Sequence, residues 1–432
     1  MDICVIGTGY VGLVAGTCLA DIGNNVVCVD SDEEKIKKLQ NAQIPIYEPG
    51  LEELISFNTK DGRLKFSCDL ENAVKNSEVC FITVGTPQFD DGSCDLTAVY
   101  SVVKDIAKYM NGYKVIVNKS TVPVGTIEKI SEILKSNTKF DFDLVYNPEF
   151  LKQGAAVDDF LSPDRIIIGA ESKRAISTMQ EIYSPFMRTA NRIILMDIKS
   201  AEMTKYAANA FLATKISFIN EISNICEKVG ADIEMVRVGI STDNRIGKQF
   251  LFPGIGYGGS CFPKDVNSLI STAEKLGCDN GILKAVNNTN MLQRNLFVEK
   301  ILKYYNGDIQ NKTFGVWGLA FKPKTNDMRE APAITIINML LENGAKIKAF
   351  DPKALSNAKK ILGEKITYTS SAYEALEGVD ALLLLTEWNE FRFPDTEKMK
   401  KVMNSAVIFD GRNQYNRERM LHQGFAYMSI GR

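Results

Sequence analysis

Asp2-Ile3-Cys4-Val5-Ile6-Gly7-Thr8-Gly9-Tyr10-Val11-Gly12 stands at the start of the chain. A β-branched apolar run leads into a G-x-G-x-x-G turn. The helical pattern from Leu13 to Ala20 follows, and Gly23 closes it. Asn25-Val26-Val27-Cys28-Val29-Asp30 is a second strand that ends in an acid. Glycines alone are a weak signal. Strand, turn, helix, strand and acid within about thirty residues specify a dinucleotide-binding unit. Gly7, Gly9 and Gly12 let a pyrophosphate approach the helix N-terminus, with Tyr10 and Val11 in the same turn as further cofactor contacts. Asp30 is placed to accept from an adenosine ribose diol. Its charge would repel a 2′-phosphate, so NAD is expected rather than NADP. Lys35 can reach back towards the ribose.

Working outward, the α/β alternation continues. Strand-like runs at Val79–Val84, Lys114–Lys119 and Phe142–Tyr146 are followed by Thr86, Thr121 and Glu149, and Arg165–Gly169 is a short further strand. Ligands bind at the carboxyl ends of such strands, which places those three residues near a cofactor or substrate. A second strand–glycine unit opens at Lys312–Gly318 and continues with runs at Ala345–Asp351, Ala381–Thr386 and Ser405–Asp410. It lacks the G-x-G-x-x-G spacing, so no second dinucleotide is expected. Lys322 and Arg329, in the polar loop Phe321–Glu330, are placed to meet phosphates, and Arg412 follows the last of these strands. Between the halves a helix runs from near Ser200 to about Lys228, and another from Ile282 to Tyr304. The expected class is α/β: two Rossmann-like parallel-sheet domains joined by a long central helix and an all-α middle region. The domains are read as 1–198, 199–305 and 306–432.

Lys205 and Asn209 are four apart on the long helix, hence on one face. Their neighbours are Ala, Tyr, Phe and Leu. A shared buried polar site and a solvated helix edge both fit that spacing.

Gly256-Tyr257-Gly258-Gly259-Ser260-Cys261-Phe262-Pro263-Lys264-Asp265 carries the second chemical signal. Pro263 and Asp265 suit a first helical turn, which puts Cys261 at a helix start. The partial positive charge there favours a thiolate, the form in which cysteine is a nucleophile.

Composition narrows the chemistry. The 432 residues imply two or three domains, and the apolar fraction of 45% is that of a globular protein. A formal net charge of −2 without a basic block argues against nucleic acid and membrane surfaces. No apolar run approaches the length of a spanning helix. A strand at the start leaves no signal peptide, and nine scattered cysteines fit a reducing compartment, so a cytoplasmic location is expected. There is one histidine, His422. A histidine relay or metal site is therefore not expected, and any general base is a lysine, a carboxylate or a bound water.

The motifs VIGTGYVG, NKSTVPVGT, YNPEFL, AEMTKYAANAFLATKISFINE, GYGGSCFPKD, GLAFKPKTNDMREAP and FDGRN, in this order, resemble the UDP-glucose/GDP-mannose dehydrogenase family over essentially the whole chain. Such enzymes oxidise the C6 alcohol of a nucleotide sugar to a carboxylate with two NAD⁺ per turnover. The resemblance implies Cys261 as nucleophile, with Lys205, Asn209 and Asp265 as companions and Thr121 and Glu149 beside the reacting carbon. It implies substrate contacts at Phe150, Leu151, Lys152, Phe250, Leu251, Gly254, Gly258, Phe321, Lys322 and Arg412. Lys264 and Arg329 look like cofactor contacts. Arg245 resembles an arginine that crosses a homodimer interface to complete the substrate site. Many relatives carry a second glutamate four residues after the one matching Glu149, where this chain has Gln153. A neutral amide cannot act as a base, so Glu149 is the better candidate for directing a hydrolytic water. UDP-glucose is the expected substrate; GDP-mannose and UDP-N-acetylmannosamine are the alternatives. A single-step 3-hydroxyacid-type dehydrogenase would need neither the cysteine nor a third domain. A non-catalytic nucleotide sensor would have lost the cysteine or the lysine, and both are present.

Overall fold

The computed structural model describes residues 1–187 and 192–432. They form two compact units, Met1–Ala208 and Asn209–Arg432. The first is built on an eight-stranded sheet: β1 (Asp2–Ile6), β2 (Asn25–Val29), β3 (Leu64–Ser67), β4 (Val79–Ile82), β5 (Lys114–Asn118), β6 (Phe142–Tyr146), β7 (Ile166–Ala170) and β8 (Ile193–Met196). The strand order is β3-β2-β1-β4-β5-β6-β7-β8. The sheet is covered on both sides, which is why its central strands β1 and β4 read as near-continuous apolar runs. Alternate residues enter different cores. Ile3, Val5, Phe81 and Val117 pack on one face with Leu13 and Leu19. Cys4, Ile6, Ile82 and Ile116 pack on the other with Val103 and Ile130.

One pairing departs from the expected parallel order. β7 runs antiparallel to β6, with Val145 opposite Ala170 and Tyr146 opposite Gly169. The intervening helix, Ala156–Leu161, has six residues. It spans about 9 Å, short of the roughly 16 Å that a parallel return along a five-residue strand requires.

The second unit carries a six-stranded, all-parallel sheet: β9 (Thr313–Trp317), β10 (Lys346–Phe350), β11 (Thr367–Tyr368), β12 (Ala381–Leu384), β13 (Val407–Asp410) and β14 (Ala426–Met428). Its order, β11-β10-β9-β12-β13-β14, is the 3-2-1-4-5-6 arrangement of a dinucleotide-binding sheet. Asp351 follows β10 as Asp30 follows β2, but its oxygens are fully engaged. They accept from the backbone N–H groups of Leu319, Ala320, Lys353 and Ala354 and from the Trp388 indole. Asp351 thus ties the turn after β9 to the turn after β10.

The long helix spans Ile198–Val229, slightly more than its apolar pattern indicates. Ile233–Ser241, Phe262–Lys275 and Gly281–Tyr304 are the helices between the long helix and β9. No helix among the described residues is long and apolar enough to cross a membrane, and no group of three or more His, Cys, Asp or Glu there could hold a metal ion.

Candidate active site

The dinucleotide loop sits between the end of β1 and the helix Tyr10–Asp21. Gly7 has φ +100°, a conformation that side chains rarely adopt. A Cβ at Gly12 would lie 1.8 Å from the Gly7 carbonyl oxygen, whereas one at Gly9 would enter open space. This is a cradle with room for a pyrophosphate at a helix start. Asp30 Oδ2 accepts from Thr8 N, Thr8 Oγ1 and Lys35 Nζ, each at 2.8 Å. Burial alone would raise the Asp30 carboxyl. Lys35 and the N–H groups of Asp32 and Thr8 outweigh it and hold the group below its ordinary range. Asp30 is thus an anionic acceptor at the end of β2, and Lys35 is its ion-pair partner. These residues fit an adenine dinucleotide. The Tyr10 hydroxyl is engaged by Glu48 and lies 3.2 Å from Gly154 N.

A second group gathers at the ends of β4, β5 and β6. Ser120 Oγ donates to Val84 O and Thr86 Oγ1 to the Thr121 carbonyl, so the Thr86 hydroxyl holds turn backbone. Lys205 and Glu149 are both buried and form an ion pair. Lys205 Nζ donates to Glu149 O at 2.6 Å and to Oε1 at 3.1 Å, while Leu151 N donates to Oε2 at 2.6 Å. Burial opposes ionisation of Glu149. Lys205, the Leu151 N–H and Lys119 outweigh it and keep the carboxyl below its usual range. The Phe150 ring lies 3.8 Å from the Arg165 guanidinium and 5.1 Å from Lys205 Nζ. Glu149, Phe150, Leu151 and Lys152 line one pocket with Lys119, Asp159 and Arg165. Lys152 pairs with Asp159 at 3.0 Å. Lys119 went unread in the sequence. Its ammonium donates to Asn147 Oδ1 at 3.0 Å, and burial pushes it down to about 8.

Glu202, one turn before Lys205, also escaped sequence reasoning. It is fully buried and accepts from Gly125 N at 2.7 Å and Ile127 N at 3.0 Å, where the helix Thr126–Asn137 begins. Burial lifts its carboxyl to about 7, against those two donors. A carboxyl raised on folding binds its proton more readily in the folded chain than in the unfolded one. Its contribution to stability is therefore full below its ordinary range and declines as pH rises towards 7. Glu202→Gln is expected to remove that decline. Thermal melts between pH 5 and 7.5 should show the difference in Tm between wild type and variant changing by about 3 °C or more. A constant difference would mean that Glu202 does not titrate in this window.

In the second unit, the helix Phe262–Lys275 starts at Cys261, with Pro263 and Asp265 in its first turn. Cys261 is partly buried and outside any disulfide, and its sulfur lies 3.7 Å from Ser260 Oγ. Asp265 is 1% exposed. It accepts from Asn209 Nδ2 and Lys264 Nζ, both at 2.6 Å. Lys264 is therefore the ion-pair partner of Asp265. Asn209 and Lys205 are both buried, so neither lies on a solvated helix edge.

The nucleophile loop is moulded by its neighbours. Asn290 pairs with both backbone groups of Tyr257, at 2.7 Å and 3.1 Å. Arg294, one turn further along the helix, donates to Tyr257 O at 3.0 Å and Glu330 O at 3.3 Å. A Cβ at Gly258 would lie 2.2 Å from the Glu330 carbonyl oxygen, and one at Gly259 would meet the Phe321 ring at 2.8 Å. Gly258 and Phe321 thus have packing duties besides the contacts expected of them. Arg412 Nε donates to Leu385 O at 2.8 Å and its Nη1 to Gly256 O at 3.2 Å, tying the FDGRN turn to the same loop. Gly254 N donates to Asn220 Oδ1, and Leu251 is buried. Phe250 holds φ +63°, a strained backbone for a bulky residue and of the kind that clusters at ligand sites. Lys322 Nζ lies 5.6 Å from the Phe321 ring.

Arg245 and Arg329 are exposed and stand in matching forks, each held by the aspartate two residues earlier at 2.6 Å. Asp327 and, less strongly, the Cys261 sulfur keep the Arg329 guanidinium above its ordinary range.

A sheet with a phosphate cradle and a ribose acceptor, a buried lysine–carboxylate pair and a helix-start cysteine together define a dinucleotide-dependent oxidoreductase equipped for covalent chemistry. Three family descriptions match in series. They are the UDP-glucose/GDP-mannose dehydrogenase family NAD binding domain over residues 1–187, its central domain over 199–291 and its UDP binding domain over 315–417. The chain belongs to the UDP-glucose/GDP-mannose dehydrogenase family, and its cofactor is NAD. It is 50% identical over 432 residues to the UDP-glucose 6-dehydrogenase TuaD of Bacillus subtilis, covering all of this chain and 93% of that one. It is 46% identical to the UDP-glucose 6-dehydrogenase of Pseudomonas aeruginosa, covering all of this chain and 98% of that one. A solved UDP-glucose dehydrogenase from Pyrobaculum islandicum superposes with TM-score 0.91 at 35% identity, covering 99% of this chain and 96% of that one.

Proposed function

We propose that this enzyme oxidises the C6 alcohol of UDP-glucose to the carboxylate of UDP-glucuronate, through a thiohemiacetal and a thioester on Cys261. The observation that carries this reading is a thiol at a helix start in a chain of this dehydrogenase family. Relatives named UDP-glucose 6-dehydrogenase, at 42–50% identity, favour UDP-glucose. The solved UDP-N-acetylmannosamine dehydrogenase of Staphylococcus aureus stands at 26%.

NAD, which the Gly7–Gly12 cradle and Asp30 would hold, would supply the hydride acceptor for each of the two oxidations at C6. Lys205 stabilises the developing alkoxide, Asn209 is a neutral donor, and a water on Asp265 takes the hydroxyl proton. The Cys261 thiolate adds to the aldehyde carbon, and the oxygen takes up a proton. This keeps the aldehyde bound and presents the second C–H bond for hydride loss. Water then attacks the thioester, the carbon–sulfur bond breaks, and the sulfur leaves as thiolate. Glu149, held anionic beside Lys205, orients that water. Thr121 lies beside the reacting carbon, and Phe250, Leu251, Gly254, Lys322 and Arg412 contact the UDP-sugar.

The domains in this scheme are 1–198 for NAD, 199–305 for the centre and 306–432 for the UDP-sugar. The chain acts as a cytoplasmic homodimer. Phe211, Phe218 and Ile225 recur at seven-residue spacing on the long helix and are all exposed, an apolar stripe suited to a second copy. Arg245 completes the partner's substrate site. Initial rates with UDP-glucose, GDP-mannose and UDP-N-acetylmannosamine test the substrate. The expected kcat/KM for UDP-glucose exceeds the others by about a hundredfold or more, the range open to a site that hydrogen-bonds its ligand. A higher kcat/KM for either rival would overturn it.

A further inference from the structure

We propose that Tyr10 and Glu48 are positioning residues for the sugar side of the site: they clamp the backbone that follows Glu149, so the tyrosine of the dinucleotide fingerprint sets the affinity for the UDP-sugar rather than for NAD. The inference rests on the proposed UDP-sugar chemistry for its kinetic arm only.

Glu48 is a buried carboxylate in the connection ahead of the helix Leu51–Lys60, far in sequence from either ligand loop. It gathers donors from two other segments. Gly154 N donates to Oε2 at 2.6 Å and Ala156 N to Oε1 at 2.7 Å. The Tyr10 hydroxyl donates to Oε2 and stands 3.2 Å from Gly154 N. Burial and Glu48 keep that phenol protonated well above its ordinary range, so it stays a donor. Gly154 has φ +83°, and Gln153 stands just before it. The clamped stretch runs from the residue after Glu149 to Ala156. Within it, Leu151 N is held by Glu149 and Lys152 N by Asp159. Glu48 and Tyr10 anchor the far end of the stretch to the start of the first helix. The carboxylate is needed for the purpose, because an amide in its place can accept through only one of its two terminal atoms.

Two measurements on the full chain test the clamp. Hydrogen exchange by mass spectrometry follows the amides of residues 150–156 and needs no substrate. Exchange there is expected to be about tenfold faster in Glu48→Gln and in Tyr10→Phe than in wild type, with the rest of the first sheet unchanged. The kinetic arm compares KM values. Both variants are expected to raise KM for UDP-glucose about tenfold, with KM for NAD and kcat within about twofold. Combining them should add less than twofold, since they cut one tie. Unchanged exchange at 150–156, or a rise in KM for NAD with KM for UDP-glucose within twofold, overturns the clamp. Faster exchange in a chain that does not oxidise UDP-glucose would leave the clamp standing and overturn the proposed substrate instead.

Discussion

Cys261→Ala is expected to abolish formation of the sugar acid, lowering its rate by roughly three orders of magnitude or more. The reason is the bond that the sulfur makes. An aldehyde has no second hydride to give until a nucleophile has added to its carbon, and the thiolate supplies that adduct. The helix Phe262–Lys275 begins at this residue, which favours the anionic sulfur. Alanine leaves no attacking atom, and the surrounding loop should persist. Tyr257 stays paired with Asn290, and Gly259 N stays bonded to Arg329 O at 2.8 Å, because neither contact involves the Cys261 side chain. Binding of NAD and UDP-glucose is therefore expected to survive within a few-fold, measured by calorimetry. Acid production by chromatography gives the answer, and acid at a normal rate would contradict covalent catalysis.

Lys205→Ala has the second largest expected effect, on two quantities at once. The ammonium makes two hydrogen bonds to Glu149 and is almost wholly buried with it. Removing one partner of a buried pair leaves an uncompensated charge, which costs about 3–5 kcal/mol. Tm should fall, and Glu149 should take up a proton. The same lysine is assigned to the alkoxide of the first oxidation, so kcat is expected to fall by about 10²–10³ or more, the range for losing a preorganised donor. KM for UDP-glucose should move only a few-fold. Raised KM with normal kcat would make Lys205 a binding residue. Lys205→Arg is not expected to restore activity, because a planar fork does not reproduce a compact ammonium.

The parts of this molecule that were legible in the sequence are those whose physics is local. The unit from Asp2 to Asp30 is one supersecondary motif, and its glycines are explained within it. The start of the helix after Cys261 follows from Pro263 and Asp265. The short strands β11 and β14 were not legible, because two or three residues carry too little periodicity. The reversal of β7 depends on how far a six-residue helix returns the chain. Spacing put Lys205 and Asn209 on one face but could not show that one meets Glu149 and the other Asp265. Glu48, Glu202, Lys119, Asn290 and Arg294 were missed for one reason. Each is a polar residue whose partners are backbone groups or side chains brought near only by the tertiary fold. Asn290 and Arg294, four apart on a helix, left the one usable trace.

Two-step oxidation through Cys261 is tested most directly by the number of NADH molecules released per molecule of UDP-glucose when the sugar is limiting and NAD⁺ is in excess. Two are expected, with one equivalent of UDP-glucuronate. One NADH, with an aldehyde as product, would contradict it.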